Sequence, residues 1–199
     1  NYILNYVFER PIGIYGTVRG PMPYFIFDQN DVLFVGSDLT VKKEFTKKFN
    51  SSITLNYLWS KNLENNGNLI NQPPVRIENN LIWKTNNFWK INFSEISLSP
   101  SYSFKQSQAP ITISPEDLIN GVVNITPETN IFDFKDAPDG HFLLDFSWRL
   151  KLNDFSASIN VNNVLNTSYR NYLNSMRYFA DEIGRNFIVN FSYTFKKKN

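Results

Sequence analysis

The chain lacks cysteine and has little histidine, two residue types on which several classes of protein depend. It contains no cysteine among its 199 residues, which excludes a disulfide framework and a thiolate metal site. It contains one histidine, His141, and a lone histidine at the start of a strand-like segment is more often structural than catalytic. We therefore predict that the chain is not an enzyme, holds no metal and uses no cofactor.

The chain also lacks long apolar runs and a strong charge of either sign. Its longest apolar runs, such as VLFV and FLL, are far shorter than the roughly 18 residues of a membrane-spanning helix. The formal net charge of +2 is too small to indicate a nucleic-acid partner. No secretion signal precedes the strand-like stretch NYILNYVFER, so we expect a mature chain or a fragment of a longer one.

Aromatic residues are abundant, at 16% of the chain, and they favour an apolar environment or an interface. The stretch GRNFIVNFSYTF, residues 184–195, shows how they are arranged. The odd positions carry the large apolar residues Phe187, Val189, Phe191, Tyr193 and Phe195. The even positions carry the polar residues Asn190, Ser192 and Thr194, and only Ile188 breaks the pattern. This period of two predicts a strand with one apolar face and one wet face. The apolar face could meet the core of a soluble sandwich or the lipid around a membrane barrel.

Seven more segments show the same alternation, and no long segment has a helical period. The eight segments cover residues 1–9, 29–45, 51–61, 76–85, 90–105, 141–152, 155–164 and 185–195. The first one predicts a face shared by Tyr2, Leu4, Tyr6 and Phe8. The fifth one changes phase, for which a bulge near Ser94–Glu95 is the simplest explanation. The pattern predicts an all-β fold.

The connections between these segments alternate between short and long. Residues 45–50, 85–89 and 152–155 are short and turn-like, whereas residues 10–23, 62–75, 106–140 and 165–184 are long. Short turns at one rim and long loops at the other are typical of an outer-membrane barrel. Aromatic residues beside the short turns predict an interfacial girdle, formed by Phe45, Phe49, Phe88, Trp89, Phe155 and Phe195. A soluble sandwich capped by these aromatic residues is the less favoured alternative.

The longest loop contains SPEDLING, which predicts one helical turn. Ser114 would be the N-cap, Pro115 the first helical residue and Gly121 the stop. We interpret this turn as a local packing element of the loop.

Four stretches resemble the TonB-dependent outer-membrane receptors in the form common among Bacteroidota. NVNNVLNTSYRNYL (160–173) resembles that family's penultimate strand and its exit, and MRYFADEIGRNFIVNFSYTF (176–195) its last loop and closing strand. DVLFVGSDLTVKKEF (31–45) resembles its G-x-E strand, with Asp38 in place of Glu. NQPPVRIENNLIW (71–83) resembles its P-P-x-R entry into a strand. The tail KKKN (196–199) departs from the family, whose members often stop at the aromatic residue.

The resemblance implies a transmembrane β-barrel in the outer membrane of a Gram-negative bacterium. Residues 1–199 would form the C-terminal part of a 22-stranded barrel whose plug domain and earlier strands are not present in this chain. The implied function is import of a scarce ligand, an iron-siderophore or another metal complex, with energy relayed by TonB. The implied partners are outer-membrane lipid, the plug and remaining strands, TonB, and a small-molecule or metal-chelate ligand, without nucleic acid.

The alternative is a self-contained eight-stranded outer-membrane barrel with a structural or adhesion role, since eight strands can close. Segment 29–45 favours the larger receptor because it exceeds the roughly 9–11 residues that cross a membrane. The first segment also has no charge run or Pro that would protect a free edge. We therefore expect it to pair with an upstream strand, and segment 185–195 to pair with the first strand of the same receptor.

Two sets of residues are candidates for a functional site. Charged and aromatic loop residues that could meet an anionic chelate are Arg10, Arg19, Arg170, Arg177, Tyr178, Asp181, Glu182 and Arg185. Polar residues expected to face the lumen and the plug are Asp38, Glu78, Asp145, Arg149, Asn160 and Asn190. Lys151 belongs to the same polar face in the sequence pattern.

Overall fold

The computed structural model describes residues 1–18, 20–88, 91–123, 126 and 131–195. Its strands are β1 (Tyr2–Thr17), β2 (Gly20–Glu44), β3 (Phe49–Asn62), β4 (Arg76–Phe88), β5 (Ile91–Ser103), β6 (Ile111–Thr112), β7 (Phe132–Asp133), β8 (His141–Leu152), β9 (Phe155–Asn162) and β10 (Asn186–Tyr193). Helix α1 covers Pro115–Ile119, and a 3-10 helix covers Ser175–Tyr178. None of the helices in the described ranges has the length and hydropathy to cross a membrane.

Eight of the strands form one antiparallel sheet in the order β1-β2-β3-β4-β5-β8-β9-β10. Each strand pairs with the next one in this order, so the sheet is an up-and-down meander, and β6 and β7 form a separate parallel pair. Within the described residues β1 and β10 do not pair with each other, so the sheet is open. The all-β antiparallel prediction and its eight strands are confirmed.

The register aligns apolar residues in rows on one face, which we call the outer face. One row runs through Phe49, Trp83, Ile96, Trp148, Ile159 and Val189, and the next through Leu81, Leu98, Phe146, Val161 and Phe187. None of these side chains is buried in the isolated chain: Trp83 is 57% exposed and Val189 51%, and the others are exposed or half-buried. An apolar patch that spans six strands requires apolar surroundings.

The opposite face, which we call the inner face, is polar in the same registers. Lys84, Glu95, Arg149, Ser158 and Asn190 form a row there. The Glu95 carboxylate forms ion pairs with Lys84 at 3.6 Å and with Arg149 at 3.7 Å, and the Asn190 amide donates to the Ser158 hydroxyl at 3.2 Å. Five strands therefore present an apolar row on one face and a polar row on the other, as the alternation predicts.

Aromatic rings border the apolar band at both ends. Beside the short turns, ring centroids lie 5.4 Å apart for Phe45 and Phe49, 6.0 Å for Phe155 and Phe191, and 4.8 Å for Tyr193 and Phe195. At the loop end, Tyr102 lies opposite Phe142. The side chain of Phe88, and Trp89 itself, lie outside the described residues. Strand β8 has 12 residues, close to the roughly 9–11 that cross a membrane.

The register corrects the bulge predicted near Ser94–Glu95. The β4–β5 pairing continues without a shift from Phe88 opposite Ile91 to Arg76 opposite Ser103. Phe93 lies on the inner face opposite Lys151. The change of phase in the sequence therefore arises because apolar residues such as Phe93 lie on the inner face near the short turns, and not because the strand contains a bulge.

The register shifts occur in β1, where the sequence did not predict them. The pairing with β2 slips between Ile3 and Tyr6, where Asn5 has φ 55°, and again between Pro11 and Gly13. As a result Tyr2 lies opposite Leu33 on the outer face, whereas Tyr6 and Phe8 pack against buried loop residues. The prediction of one face shared by Tyr2, Leu4, Tyr6 and Phe8 is wrong.

The prediction that residues 10–23 form a loop is also wrong. Strands β1 and β2 continue through most of it, so these residues form the end of a long hairpin. Arg10 is therefore a strand residue, and its Nε lies 2.6 Å from the carboxylate of Asp28 across the hairpin. Arg19 lies outside the described residues.

The predicted helical turn is confirmed in the loop between β5 and β8. Helix α1 begins after Ser114, whose hydroxyl accepts from the backbone N–H of Asp117 at 3.1 Å. Pro115 occupies the first turn, and Gly121 follows the C-cap with φ +65°, a conformation that glycine adopts without strain.

The buried core lies where the long loops fold onto the inner side of the β1–β2 hairpin. One cluster consists of Phe8, Val32, Leu69, Ile70 and Ile131. A second consists of Ile113, Phe132, Phe134 and Tyr178, with Ile14 and Phe25 packed against it. The loops at this end are thus ordered by apolar burial, which positions the polar residues described next.

Candidate ligand site at the loop end of the sheet

A buried ion pair joins the two longest loops. Arg177, in the 3-10 helix, lies 2.7 Å from the carboxylate of Asp133 in β7, and both side chains are 1% exposed. The Tyr178 hydroxyl donates to the same carboxylate at 2.7 Å. We call these three residues the loop lock, because breaking a buried pair leaves an uncompensated charge and is strongly unfavourable.

The electrostatics of the loop lock keep its phenols neutral. Burial and the Asp133 carboxylate raise the pKa of Tyr178 far above its usual range. Burial raises the pKa of the neighbouring Tyr172 to about 12. The guanidinium of Arg177 lies over the Tyr172 ring, 4.6 Å from its centroid, which adds a cation–π contact. The opposite charges of Asp133 and Arg177 lie within this cluster and compensate each other.

The structure does not place Arg177 and Tyr178 at an open surface, and their contact with a ligand stays a prediction. Both are buried, at 3% and 7% exposure, and both are bound to Asp133. Their observed role is to join the loops 106–140 and 165–184. Asp133 lies on another loop, far away in the sequence. Sequence spacing therefore could not predict that it pairs with Arg177 and Tyr178.

The other predicted residues of the last loop lie at its surface. Arg170 donates to Asp181 at 2.7 Å and to the backbone carbonyl of Arg177 at 2.7 Å. Hydrogen bonds from Ser168 and Arg170 hold the pKa of Asp181 below its usual range. Glu182 accepts from the Asn174 amide at 2.6 Å, whereas the Arg185 side chain is exposed.

A cavity of about 320 Å³ lies on the inner face where β4, β5 and β8 meet the loops. We call it the mouth cavity. Its lining includes Asn56, Pro73, Pro74, Arg76, Phe104, Asp139, His141, Leu143, Tyr169, Arg170 and Tyr172. Arg76 donates to Glu78 at 2.9 Å, and the rings of His141 and Tyr169 stack with centroids 4.3 Å apart.

Two smaller cavities adjoin the mouth cavity and bring some of the predicted residues together. One shares Asn56 and the two prolines with it and includes Asp38, which accepts from the Asn56 amide at 2.7 Å. The other shares His141 and Arg170 with it and includes Asp181. Asp38, Arg170 and Asp181 therefore line a group of three adjoining cavities, which we call the groove.

The remaining predicted lumen residues lie on the inner face away from this groove. Asp145 accepts the backbone N–H of Asn163 at 2.7 Å, which anchors the start of the last loop. Asn160 lies opposite Ser147 and Ile188, while Arg149 and Asn190 belong to the charged row nearer the short turns. Their contact with a plug stays a prediction.

Most residues that line the mouth cavity were missed as site residues by the sequence reasoning, among them Arg76, His141 and Tyr169. Arg76 belongs to the P-P-x-R stretch, and this motif was the available signal. His141 and Tyr169 meet only because β8 and the last loop converge. In the part of the chain that the structure describes, no three acidic or histidine side chains are grouped so that they could hold a metal.

The comparisons with known proteins identify the fold. No protein-family model matches the chain, and no curated protein does. Among the solved structures that match is the "Copper transporter OprC", with a TM-score of 0.69 and 14% sequence identity. The alignment covers 98% of this chain and 27% of that one, so the chain spans about a quarter of the transporter's length. The open sheet thus has a barrel-type fold, built like one part of that transporter.

Proposed function

We propose that this chain is part of an outer-membrane receptor for active transport, which imports a scarce ligand with energy relayed by TonB. The observation that carries the proposal is the open eight-stranded sheet with an apolar outer face and a polar inner face. It supports the proposal together with the likeness to one part of a transporter.

An open sheet supports a larger barrel because unpaired strand edges are too unfavourable to persist in hydrocarbon. Strands β1 and β10 carry such edges, and further strands of the same receptor would pair with them. The alternative, a self-contained barrel with a structural or adhesion role, requires β1 to pair with β10. The described residues do not show that pairing.

The polar inner face supports a plugged lumen. Its residues form ion pairs and hydrogen bonds that are individually weak, such as those of Glu95, Asn190 and Asp38. A plug domain held by many weak polar contacts can remain in place and still move. The proposed role is binding and transport, without catalysis.

We propose a metal complex, such as an iron-siderophore, as the transported ligand. The cationic and aromatic lining of the mouth cavity supports this choice, since guanidinium groups bind carboxylates and catecholates. The likeness to a copper transporter is compatible with it but extends to the fold alone at 14% identity.

The experiment uses the full-length protein in its Gram-negative host. Deletion of the gene should abolish accumulation of radiolabelled iron from one or more of ferric citrate, a ferric catecholate and a ferric hydroxamate, and the intact gene should restore it. A protonophore should abolish the same uptake, and the protein should be recovered in the outer-membrane fraction. Uptake that persists after the proton gradient collapses would contradict active transport.

A further inference from the structure

The geometry points to a ligand class for the mouth cavity. We propose that it binds a small anionic molecule in which a carboxylate, or a similar planar oxyanion group, is attached to a flat ring. This inference rests on the proposed function, since it names the chemistry of the ligand at the transport site. The charge, the shape and the rigidity of the cavity each support it.

The lining contains two guanidinium groups, those of Arg76 and Arg170. Arg76 uses one terminal nitrogen for Glu78, and Arg170 uses Nε and one terminal nitrogen for Asp181 and a backbone carbonyl. Each guanidinium retains donors for which the described residues show no partner. The one carboxylate in the lining, Asp139, is 93% exposed and lies 3.1 Å from the Lys105 ammonium. A carboxylate in the cavity would meet the remaining donors of two guanidinium groups, each of which already pairs with one protein carboxylate.

The shape of the cavity suits a flat molecule. The stacked rings of His141 and Tyr169 form one wall, and Phe104, Pro73 and Pro74 provide further apolar surface. The volume of about 320 Å³ lies at the lower end of the range for small-molecule sites, roughly 300–1,000 Å³. An apolar lining with a few fixed polar groups is the usual composition of such sites.

The rigidity of the cavity comes from the loop lock. The backbone carbonyl of Arg177 accepts a hydrogen bond from Arg170. The guanidinium of Arg177 covers the ring of Tyr172, which lines the cavity. The buried pair with Asp133 thus fixes two parts of the wall before any ligand binds. A pre-formed wall reduces the entropy lost on binding.

The test measures binding of benzoate and of its neutral analogue benzamide to the full-length protein in detergent, by saturation-transfer NMR. We expect saturable benzoate binding that is at least tenfold tighter than benzamide binding. Arg76→Gln should weaken benzoate binding at least tenfold and leave benzamide binding nearly unchanged. Tyr169→Leu should weaken the binding of both. Lys47→Gln, which removes a positive charge at the opposite end of the sheet, is the matched control and should change neither.

Equal affinity for the two probes, no saturable benzoate binding, or an unchanged benzoate affinity in Arg76→Gln would overturn the proposal. Folding of each variant is checked by the shift in electrophoretic mobility on heating that folded barrels show. If benzoate binds as expected but energised uptake is absent, the cavity assignment stands and the proposed transport function fails. If uptake is present and unaffected by Arg76→Gln, the cavity assignment fails and the transport function stands.

Discussion

At the scale of single residues, burial distinguishes the ion pair that holds the loops together from an ion pair at the loop surface. Arg177 and Asp133 are both 1% exposed, whereas Lys105 and Asp139 form a pair of similar length at 52% and 93% exposure. Water screens the second pair and not the first. Removal of one partner should therefore lower the free energy of unfolding much more for the first pair than for the second.

Arg177→Met should open the last loop, because it leaves the buried Asp133 without its partner. The expected cost is about 3–5 kcal/mol. Limited proteolysis of the folded protein should show new cleavage in residues 106–140 and 165–184. Lys105→Met is the matched control, with an expected cost of about 0–1 kcal/mol. Equal protease resistance of the two variants would show that the loop lock does not hold the loops.

The surface contacts of Asp181 should make the last loop sensitive to acid. Its carboxylate accepts from Ser168 and Arg170, which lower its pKa in the folded state. The stabilisation of the last loop by these contacts is therefore complete above the ordinary pKa of an aspartate, about 3.9. It is lost as the pH falls through the lower pKa of Asp181 in the folded state. A spin label at Ile183→Cys should become more mobile only below about pH 4. Asp181→Asn should remove this acid step, and a step near neutral pH would contradict the assignment.

At the scale of elements, the alternation of side chains decides which face of each strand tolerates charge. Val189 and Asn190 are neighbours in β10, yet they lie in the apolar outer row and the polar inner row. A bilayer around the outer face would make a charge costly there, whereas a wet inner face would accept it.

Val189→Arg should therefore impair assembly, with a cost of about 2–4 kcal/mol near the bilayer midplane, whereas Asn190→Arg should be tolerated. Leu144→Arg and Asp145→Asn form a second pair on β8. The measurement is the fraction of folded protein in the outer membrane. Similar losses for both members of a pair would show that the faces are not divided between lipid and water.

Much of this element-scale description could be predicted from the sequence, and the failures have physical causes. Strands β3, β8, β9 and β10 follow from strict alternation, and α1 follows from Ser114, Pro115 and Gly121. The β1–β2 hairpin was missed because irregular registers in β1 obscure its period. The mouth cavity was missed because Arg76, His141 and Tyr169 come from three separate segments. Contacts of that kind depend on how the loops fold onto the sheet.

At the scale of the whole molecule, the open sheet is the feature on which the functional account depends. Its strands follow one another in chain order without crossing, and β1 and β10 stand at opposite edges. Neighbouring strands lie about 4.8 Å apart, so an arc of eight strands in a wide barrel separates its edges by roughly 30 Å or more. In a closed eight-stranded barrel the same edges would be neighbours.

The distance between β1 and β10 in the full-length protein tests this central claim most directly. Nitroxide labels attached at Val7→Cys and Val189→Cys, both on exposed positions of a chain without cysteine, allow its measurement by double electron–electron resonance. The labels at Ile159→Cys and Val189→Cys, which are register partners, provide the short-distance reference. We predict a β1–β10 distance of roughly 30 Å or more. A distance as short as that of the reference pair would show a closed eight-stranded barrel and contradict the account of a larger receptor.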